Sequence, residues 1–186
     1  MTRDHPGKTV CAVVTIGHST RTLEIFTHLL QIYDAKQVID VRTVPRSRHN
    51  PQFNHETLPD DLRAAGIGYL HMPGLGGLRR PRPDSINLGW RNASFRGFAD
   101  YMRTPEVENY LGELVAFAER KRTAVMCAEA LPWRCHRSLI SDALEIRGIK
   151  VAHILSETHL QLHQMTSFAQ WDGKFLVYPA EKPSAE

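Results

Sequence analysis

The chain has 186 residues, 42% of them hydrophobic, and a formal net charge of +3 at pH 7. That size and apolar content fit one domain with a proper core, and the lack of any run of roughly 20 apolar residues excludes a membrane-spanning helix. The first residues carry charge without an apolar segment behind them, so no signal peptide is expected. The three cysteines, an odd number, argue against a disulfide framework and favour a reducing, cytoplasmic location.

Strands and helices are predicted to alternate through the first half of the chain. Residues 10–16 form a short apolar run closed by Gly17, which is typical of a buried strand. Ser19 or Thr20 is expected to cap a helix directly after it. Further elements expected here are a strand at 37–41, a short helix at 58–65 ended by Gly66, and a strand at 68–72.

The second half opens with residues 73–88, which are rich in Gly, Pro and Arg and too long for a simple connector. Segments of this kind inside a domain are usually functional or mobile. The clearest helix begins after Thr104, with Pro105 in its first turn. Also expected are a helix near 95–102, a strand at 123–127, a helix at 135–147, a strand at 150–155, a last helix from Ser156 to His163, and a β-element at 174–178.

This order predicts a single α/β domain at residues 10–178, between a flexible N-terminus at 1–9 and a disordered tail at 179–186. Alternating elements indicate three layers, with a Rossmann-like, mainly parallel sheet flanked by helices. Such sheets bind ligands beyond the carboxyl ends of their strands, so polar segments that follow the strands should meet at one edge. These segments are Gly17-His18-Ser19, Asp40-Val41-Arg42 and residues 127–137.

Residues 127–137 read CAEALPWRCHR and allow three interpretations of their cysteines. A cysteine near a helix N-terminus and arginines can be a nucleophile, but Cys127 and Arg134 are spaced C-x6-R, whereas cysteine phosphatases and rhodaneses use C-x5-R. Cys127, Cys135 and His136 could instead ligate zinc or iron, although no C-x2-C pair is present and a fourth ligand is needed from elsewhere. The third interpretation is that both are buried cysteines without chemistry.

Four side chains are candidate catalytic groups. Asp40 and Glu129 each follow an apolar strand, where a partly buried carboxylate can act as a general acid, a general base or a nucleophile. His18 and His136 are candidate proton carriers. Ion pairs with nearby arginines that merely fix loops would explain the two carboxylates equally well.

Arginines and glycines near the strand ends are candidate substrate-binding residues. Arginines cluster at 42–48, 79–82 and 134–137, and they make forked contacts with phosphate or carboxylate, although a solvated surface would explain them too. Aromatic residues among the arginines at 90–98 are typical of a base-stacking surface or of a core helix. The substrate-binding candidates are Gly17, Ser19, Arg42, Ser47, Arg48, Gly76, Gly77 and Arg137.

Four motifs of the chain occur together in one known family. They are Thr15-Ile16-Gly17-His18-Ser19, then Asp40-Val41-Arg42 with Pro45 and Ser47-Arg48, then Leu75-Gly76-Gly77, and finally Cys127-Ala128-Glu129 with Pro132 and Cys135-His136-Arg137. In this combination the chain resembles the bacterial domain-of-unknown-function 488 family, from about Val13 to His153. The resemblance implies an α/β fold of this size and a shared pocket built by these motifs, and it supplies no reaction.

From these residues we expect an enzyme that acts on a nucleotide or a nucleic acid, including DNA with modified bases. Carboxylates would carry out hydrolysis or group transfer at a glycosidic or phosphate bond, while arginines and a helix N-terminus hold phosphate. The alternatives are a non-catalytic nucleotide- or nucleic-acid-binding protein and a metal protein built on Cys127, Cys135 and His136. The sequence requires no cofactor, leaves a divalent metal as an option, and indicates no membrane partner.

Overall fold

Six strands form one mainly parallel sheet in the computed structural model, which describes residues 11–180. Across the sheet the strands are ordered β3-β2-β4-β1-β5-β6; the first five are parallel, and β6 is antiparallel to β5. The prediction of a mainly parallel sheet is therefore confirmed. The strands are β1 (Val13–Gly17), β2 (Gln37–Asp40), β3 (Gly68–His71), β4 (Thr123–Cys127), β5 (Val151–Ile154) and β6 (Leu160–Leu162).

Five helices cover the two faces of the sheet and complete the three-layer α/β fold. They are α1 (Leu23–Ile32), α2 (Leu58–Ala64), α3 (Ala93–Tyr101), α4 (Pro105–Arg120) and α5 (Arg137–Glu145). Helices α1 and α2 pack on one face, and α3, α4 and α5 pack on the other, each side with its own apolar cluster. A small separate hairpin is formed by β7 (Gln170–Trp171) and β8 (Leu176–Val177). Among residues 11–180 no helix is long and apolar enough to cross a bilayer.

The connections that follow β2, β4 and β1 leave the carboxyl ends of these neighbouring strands towards different faces of the sheet. Strand β4 lies between β2 and β1, with Val38 and Val14 as its neighbours at Ala124. The connections after β1 and β2 lead to helices on one face, whereas the connection after β4 leads to α5 on the other face. Diverging connections leave a crevice at the carboxyl ends of the strands, which is where open α/β sheets bind ligands.

Most helix boundaries follow the local sequence signals. Gly66 and Gly148, with φ angles of 76° and 78°, follow α2 and α5 in the left-handed conformation that glycine adopts without strain. Helix α4 begins at Pro105 after Thr104, as predicted. The predicted cap of α1 is wrong, because the Thr22 hydroxyl accepts the hydrogen bond from Ile25 N at 3.3 Å. Ser19 instead turns the chain after β1, with a φ of 49°.

The helix predicted from Ser156 to His163 is also wrong, because this segment folds back as β6 and pairs with β5. Leu155 N donates to His159 O at 3.0 Å to close the turn, and Leu162 lies beside Ala152 in the sheet. An unpaired edge on β5 would leave a row of buried backbone groups without partners, and this outweighs a weak helical spacing of apolar residues. The predicted N-terminal segment at 1–9 and residues 181–186 of the predicted tail lie outside the described part of the chain.

The backbones after β1 and β4 run side by side at the edge of the sheet. His18 N donates to Cys127 O at 2.9 Å, and Ser19 N donates to Ala128 O at 3.0 Å. A Cβ atom placed on Gly17 would lie 1.9 Å from the backbone oxygen of Glu129. Glycine is therefore required at this position, because any side chain would separate two of the segments that form the site.

We expect Gly17→Ala to lower the free energy of unfolding by roughly 1–3 kcal/mol, since the methyl group forces the 129–130 backbone away from β1. Urea denaturation at neutral pH measures this. Gly112→Ala is the matched control, because nothing lies within 4 Å of its Cβ position, which lies inside helix α4. The control should be stabilised by about 0.5–1 kcal/mol. Equal stability of Gly17→Ala and the wild-type protein would contradict the close contact.

Candidate functional site

A pocket of about 360 Å³ lies at the carboxyl edge of β1, β2 and β4. The segments that follow these three strands form its floor and two of its walls. The 77–78 turn and the start of α3 close it from the other side. The predicted site residues that line the pocket are His18, Arg42, Ser47, Gly77, Glu129 and His136, together with Cys127 and Cys135.

The other predicted site residues lie behind the pocket or beside it. Asp40 and Arg137 are buried beneath the lining, whereas the side chain of Arg48 is exposed outside it. Gly17, Ser19 and Gly76 shape the neighbouring backbone. Several other lining residues were not among the predicted site residues, although the two arginines in this group belong to the clusters of basic residues in the sequence. The missed lining residues are Thr43, Val44, Arg46, Leu78, Ser94, Phe95, Ala128 and Arg134.

Asp40 forms a buried ion pair with Arg42 just below the pocket. The Arg42 guanidinium donates to both carboxylate oxygens, at 2.9 Å from Nε to Oδ1 and 2.6 Å from Nη2 to Oδ2. Tyr69 OH, from β3, donates to Oδ2 at 2.8 Å, and both burial and the Asp40 charge raise the pKa of Tyr69. Asp40 has no exposed surface. Its carboxylate therefore orients Arg42, and the geometry gives it no direct contact with a ligand.

His18 is held between Phe53 and Arg42 in a neutral state. Its ring stacks on Phe53 with 4.3 Å between the centroids. Nδ1 donates to Ser19 O at 2.9 Å, so Nε2 accepts from Arg42 Nη1 at 3.2 Å. Burial first, and then the Arg42 charge, lower the pKa of His18 to about 4. Because both nitrogens have protein partners, this arrangement favours a positioning role for His18 over proton transfer.

The two cysteines of the last motif lie in contact at the floor of the pocket. Cys127 Sγ and Cys135 Sγ are 2.8 Å apart. Burial and the hydrogen bond with Cys135 raise the pKa of the Cys127 thiol well above its ordinary value. Burial alone would also raise the pKa of the Cys135 thiol, but the hydrogen bonds of Cys127 and His136 and the charge of Arg137 outweigh it. The pKa of Cys135 therefore lies well below its ordinary value, so that of the two thiols Cys135 loses its proton more readily.

Arg137 is the buried cation of this site. Only 1% of its surface is exposed, and it pairs with no carboxylate among residues 11–180. Its guanidinium donates to Thr15 Oγ1 at 3.2 Å and to Glu129 O at 2.5 Å. Arg137 Nε donates to Cys135 Sγ at 3.4 Å. A buried charge is costly unless it is paired, so a Cys135 thiolate is the counter-charge that the geometry offers Arg137.

A row of buried hydrogen bonds leads from Arg137 to a carboxylate on α5. The Thr15 hydroxyl, which accepts from Arg137, lies 2.8 Å from His153 Nδ1, and His153 Nε2 lies 3.0 Å from His163 Nδ1. His163 Nε2 lies 2.8 Å from Asp142 Oδ1. The Thr15 hydroxyl can donate to His153 Nδ1, His153 Nε2 to His163 Nδ1, and His163 Nε2 to Asp142. In this arrangement every polar group in the row has a hydrogen-bond partner and each imidazole carries one hydrogen. Burial first, and then the charge of Arg137, lower the pKa of His153 to about 3.

His136 joins the cysteine pair to the segment after β2. Its Nε2 lies 3.3 Å from Val41 O, and because a carbonyl oxygen only accepts, Nε2 carries a hydrogen. Nδ1 then faces Cys135 Sγ at 3.6 Å and can take or return the thiol proton. A Cβ on Gly77 would lie 2.5 Å from this same Nδ1. The absence of a side chain at Gly77 therefore lets the 77–78 turn close over the imidazole ring.

Glu129 presents the one carboxylate among the pocket-lining residues of the described chain. Its backbone is fixed, because its N–H donates to Cys127 Sγ at 3.3 Å and its carbonyl oxygen accepts from Arg137. The side chain is exposed, with a single long contact of 3.4 Å from Leu131 N to Oε1. Glu129 therefore has a fixed backbone and a solvent-exposed carboxylate, which is the arrangement expected of a side chain that contacts a ligand.

The cysteine pair does not have the geometry of a metal site. Tetrahedral zinc with Zn–S bonds near 2.3 Å would hold two sulfurs roughly 3.8 Å apart, further than the 2.8 Å between Cys127 and Cys135. His136 directs Nε2 towards a backbone carbonyl, and its Nδ1 contacts one of the sulfurs. Within residues 11–180 no group of three or more His, Cys, Asp or Glu side chains is arranged to hold a metal ion.

Acid pH should destabilise the protein through His18. An unfolded histidine binds a proton near pH 6.5, whereas folded His18, with a pKa of about 4, stays neutral until lower pH. The unfolded state therefore binds more protons between pH 6.5 and 4, and stability falls as the pH falls through this range. One such histidine contributes a slope of up to about 1.4 kcal/mol per pH unit.

We therefore expect His18→Gln to reduce the pH slope of the free energy of unfolding by about one proton between pH 6.5 and 4.5. Urea denaturation at three pH values across this range measures the slope. His49→Gln is the control, because it makes the same replacement at an exposed histidine outside the pocket. Parallel pH profiles for His18→Gln and the wild-type protein would show that His18 titrates normally in the folded state.

One family model matches most of the chain. The family model described as "Domain of unknown function DUF488" matches residues 22–144, which include the motifs that follow β2 and β4. No curated protein and no solved structure matches the chain. The predicted membership of this family is confirmed, since the matched segment is more than half of the 186 residues. The chain thus belongs to the DUF488 family, whose description leaves the function open.

Proposed function

We propose that this protein is an enzyme that acts on a nucleotide or a nucleic acid, with Glu129 as the reacting carboxylate. The observation that carries the proposal is the composition of the pocket. In a volume of about 360 Å³, one carboxylate is surrounded by Arg42, Arg46 and Arg134. The excess of positive charge favours an anionic ligand, and the single open carboxylate favours chemistry on it.

The arginines differ in how free they are to bind a phosphate group. Arg42 is held by Asp40, and the exposed Arg46 pairs with Glu56. Arg134 is exposed and pairs with no carboxylate in the part of the chain that the structure describes. We therefore assign the main phosphate contact to Arg134, with Arg46 as a second contact once it exchanges Glu56 for the ligand.

The size and the apolar wall of the pocket support a nucleotide rather than a bare phosphate ion. Pockets for small organic ligands typically begin at about 300 Å³. Val44 and Leu78 are 59% and 74% exposed, and Phe95 lines the same wall beside Trp90. Exposed apolar groups of this kind can cover a base or a sugar, while the arginines hold phosphate.

The chemistry assigned to Glu129 is attack at a glycosidic or phosphate bond, either directly or through a water molecule that the carboxylate deprotonates. His18 and His136 direct their ring nitrogens to protein atoms, so the proposal gives them positioning roles. Asp40 likewise positions Arg42. A flipped base from DNA or RNA is one form of this ligand, because two of the lining arginines, Arg46 and Arg134, are exposed and can contact the backbone from which the base is flipped.

Glu129→Gln should reduce turnover at least about a hundredfold while changing the melting temperature by no more than a few degrees, since the side chain is exposed. Turnover is measured by mass spectrometry after incubation with nucleotides, single-stranded and duplex DNA, RNA, and DNA with modified bases. Glu113→Gln, an exposed carboxylate on α4, is the matched control and should keep full activity. Full turnover by Glu129→Gln would show that Glu129 is not the reacting carboxylate.

Arg134→Ala should weaken binding of the same ligand roughly tenfold and reduce the salt dependence of binding by about one phosphate contact. Fluorescence titration at several salt concentrations measures both. Arg120→Ala is the control, because Arg120 is an exposed arginine at the end of α4. Tight, salt-dependent binding without turnover by the wild-type protein would favour the alternative, a non-catalytic binding protein. Binding of no nucleotide or nucleic acid would contradict both.

A further inference from the structure

The cysteine pair at the floor of the pocket has no role in the proposed function. Cys127 and Cys135 are separated by seven residues, yet their sulfurs lie 2.8 Å apart. A disulfide bond requires about 2.05 Å, so its formation needs a movement of less than about 1 Å. The separation of 2.8 Å is shorter than the contact distance of two apolar atoms, about 3.5–4.0 Å, so the pair differs from buried cysteines that pack as ordinary apolar residues.

The surroundings of Cys135 favour its thiolate form. Two N–H groups are directed at its sulfur, from Arg137 Nε at 3.4 Å and from Arg137 N at 3.5 Å, and His136 Nδ1 lies 3.6 Å from it, where it can accept the thiol proton. Arg137 is buried and pairs with no carboxylate within residues 11–180, so the thiolate also balances its charge. Thiolates beside Arg and His are the reactive form of cysteine.

We infer that Cys127 and Cys135 form a redox site that converts reversibly between a thiol–thiolate pair and a disulfide, with a hydroperoxide as oxidant and Cys135 as the sulfur that is oxidised first. Both residues line the pocket, so a molecule as small as hydrogen peroxide reaches them from solvent. Cys11 provides the contrast, because it is fully buried and does not line the pocket. This inference does not depend on the proposed function.

The reaction takes place in two steps. The Cys135 thiolate attacks one oxygen of the peroxide, an S–O bond forms, the O–O bond breaks, and hydroxide leaves. The Cys127 sulfur then attacks the sulfenic acid of Cys135, so that the S–S bond forms and the S–O bond breaks. The departing hydroxide leaves as water with the Cys127 proton. Two electrons from the sulfurs thus reduce one peroxide to one water and one hydroxide.

The charge on Arg137 predicts that the disulfide is easily reduced. Oxidation removes the thiolate and leaves a buried guanidinium with only neutral partners, whereas reduction restores its counter-charge. A dithiol whose reduced form is stabilised in this way is the more oxidising type. Dithiothreitol should therefore return the protein fully to its reduced state without denaturation.

The test starts from reduced protein, freed of reductant and treated with about one equivalent of hydrogen peroxide. Thiols are then alkylated under denaturing conditions and counted by intact mass. We expect two of the three thiols to be protected, a loss of about 2 Da before alkylation, and a peptide that joins Cys127 to Cys135. Dithiothreitol should restore all three thiols. Full alkylation after peroxide, or a disulfide that links two chains, would overturn the inference.

Variants identify which sulfur reacts first. Cys135→Ser should consume peroxide at least about tenfold more slowly, whereas Cys127→Ser should stop at a sulfenic acid, about 16 Da heavier, that a cyclic 1,3-diketone traps on Cys135. Cys11→Ser is the matched control and should form the disulfide as fast as the wild-type protein. Equal rates for Cys135→Ser and Cys11→Ser would overturn the assignment. The peptide map of the wild-type protein decides the existence of the bond even if a variant does not fold.

Discussion

The structure of the site depends first on the buried guanidinium of Arg137. Arg137 begins α5, yet its side chain reaches Thr15 on β1 and the carbonyl oxygen of Glu129 in the loop after β4. These contacts hold β1 and the loop after β4 against each other, a position that the local sequence of neither segment determines. A buried cation is tolerated only with polar partners on every side, so the loop at 129–130 and the sulfur of Cys135 must take up their observed positions for Arg137 to be accommodated. The Arg137 charge that fixes the loop also stabilises a thiolate at Cys135, to which Arg137 Nε donates.

A second buried arginine organises the opposite wall in a different way. Arg42 has its carboxylate partner, Asp40, two residues away, and it donates to Phe53 O at 2.8 Å and to His18. Its charge is thus locally neutralised, whereas that of Arg137 is left to a sulfur and to a more distant carboxylate. The floor of the pocket therefore consists of groups that are fully engaged with one another. The groups free to meet a ligand, Glu129 and Arg134, lie above this floor on exposed side chains.

Much of this arrangement could be predicted from the sequence, and the exceptions share a physical cause. Short apolar runs followed by polar segments predicted the parallel sheet and the meeting of the loops after β1, β2 and β4, because strand direction decides which ends meet. The environment of Asp40 could not be predicted, because one of its partners, Tyr69, lies on β3, 29 residues away. The row from Thr15 to Asp142 had no local signal at all, since its members are brought together only by packing of the sheet on α5. The hairpin at β6 was mistaken for a helix because the need of β5 for a partner strand is a property of the whole sheet.

The row of hydrogen bonds behind Arg137 has a polarity that reaches well beyond the pocket. Its last acceptor is the carboxylate of Asp142, whose Oδ1 also accepts from Thr166 N at 3.0 Å and whose Oδ2 accepts from the hydroxyl groups of Thr166 and Tyr178 at 2.7 and 2.9 Å. Because the Thr166 N–H can only donate, Oδ1 stays an acceptor and His163 Nε2 carries the hydrogen. The tautomer of His163 then sets that of His153, and His153 Nδ1 in turn accepts from the Thr15 hydroxyl. A backbone N–H beyond α5 therefore determines the orientation of a hydroxyl group that contacts Arg137, although the two never touch.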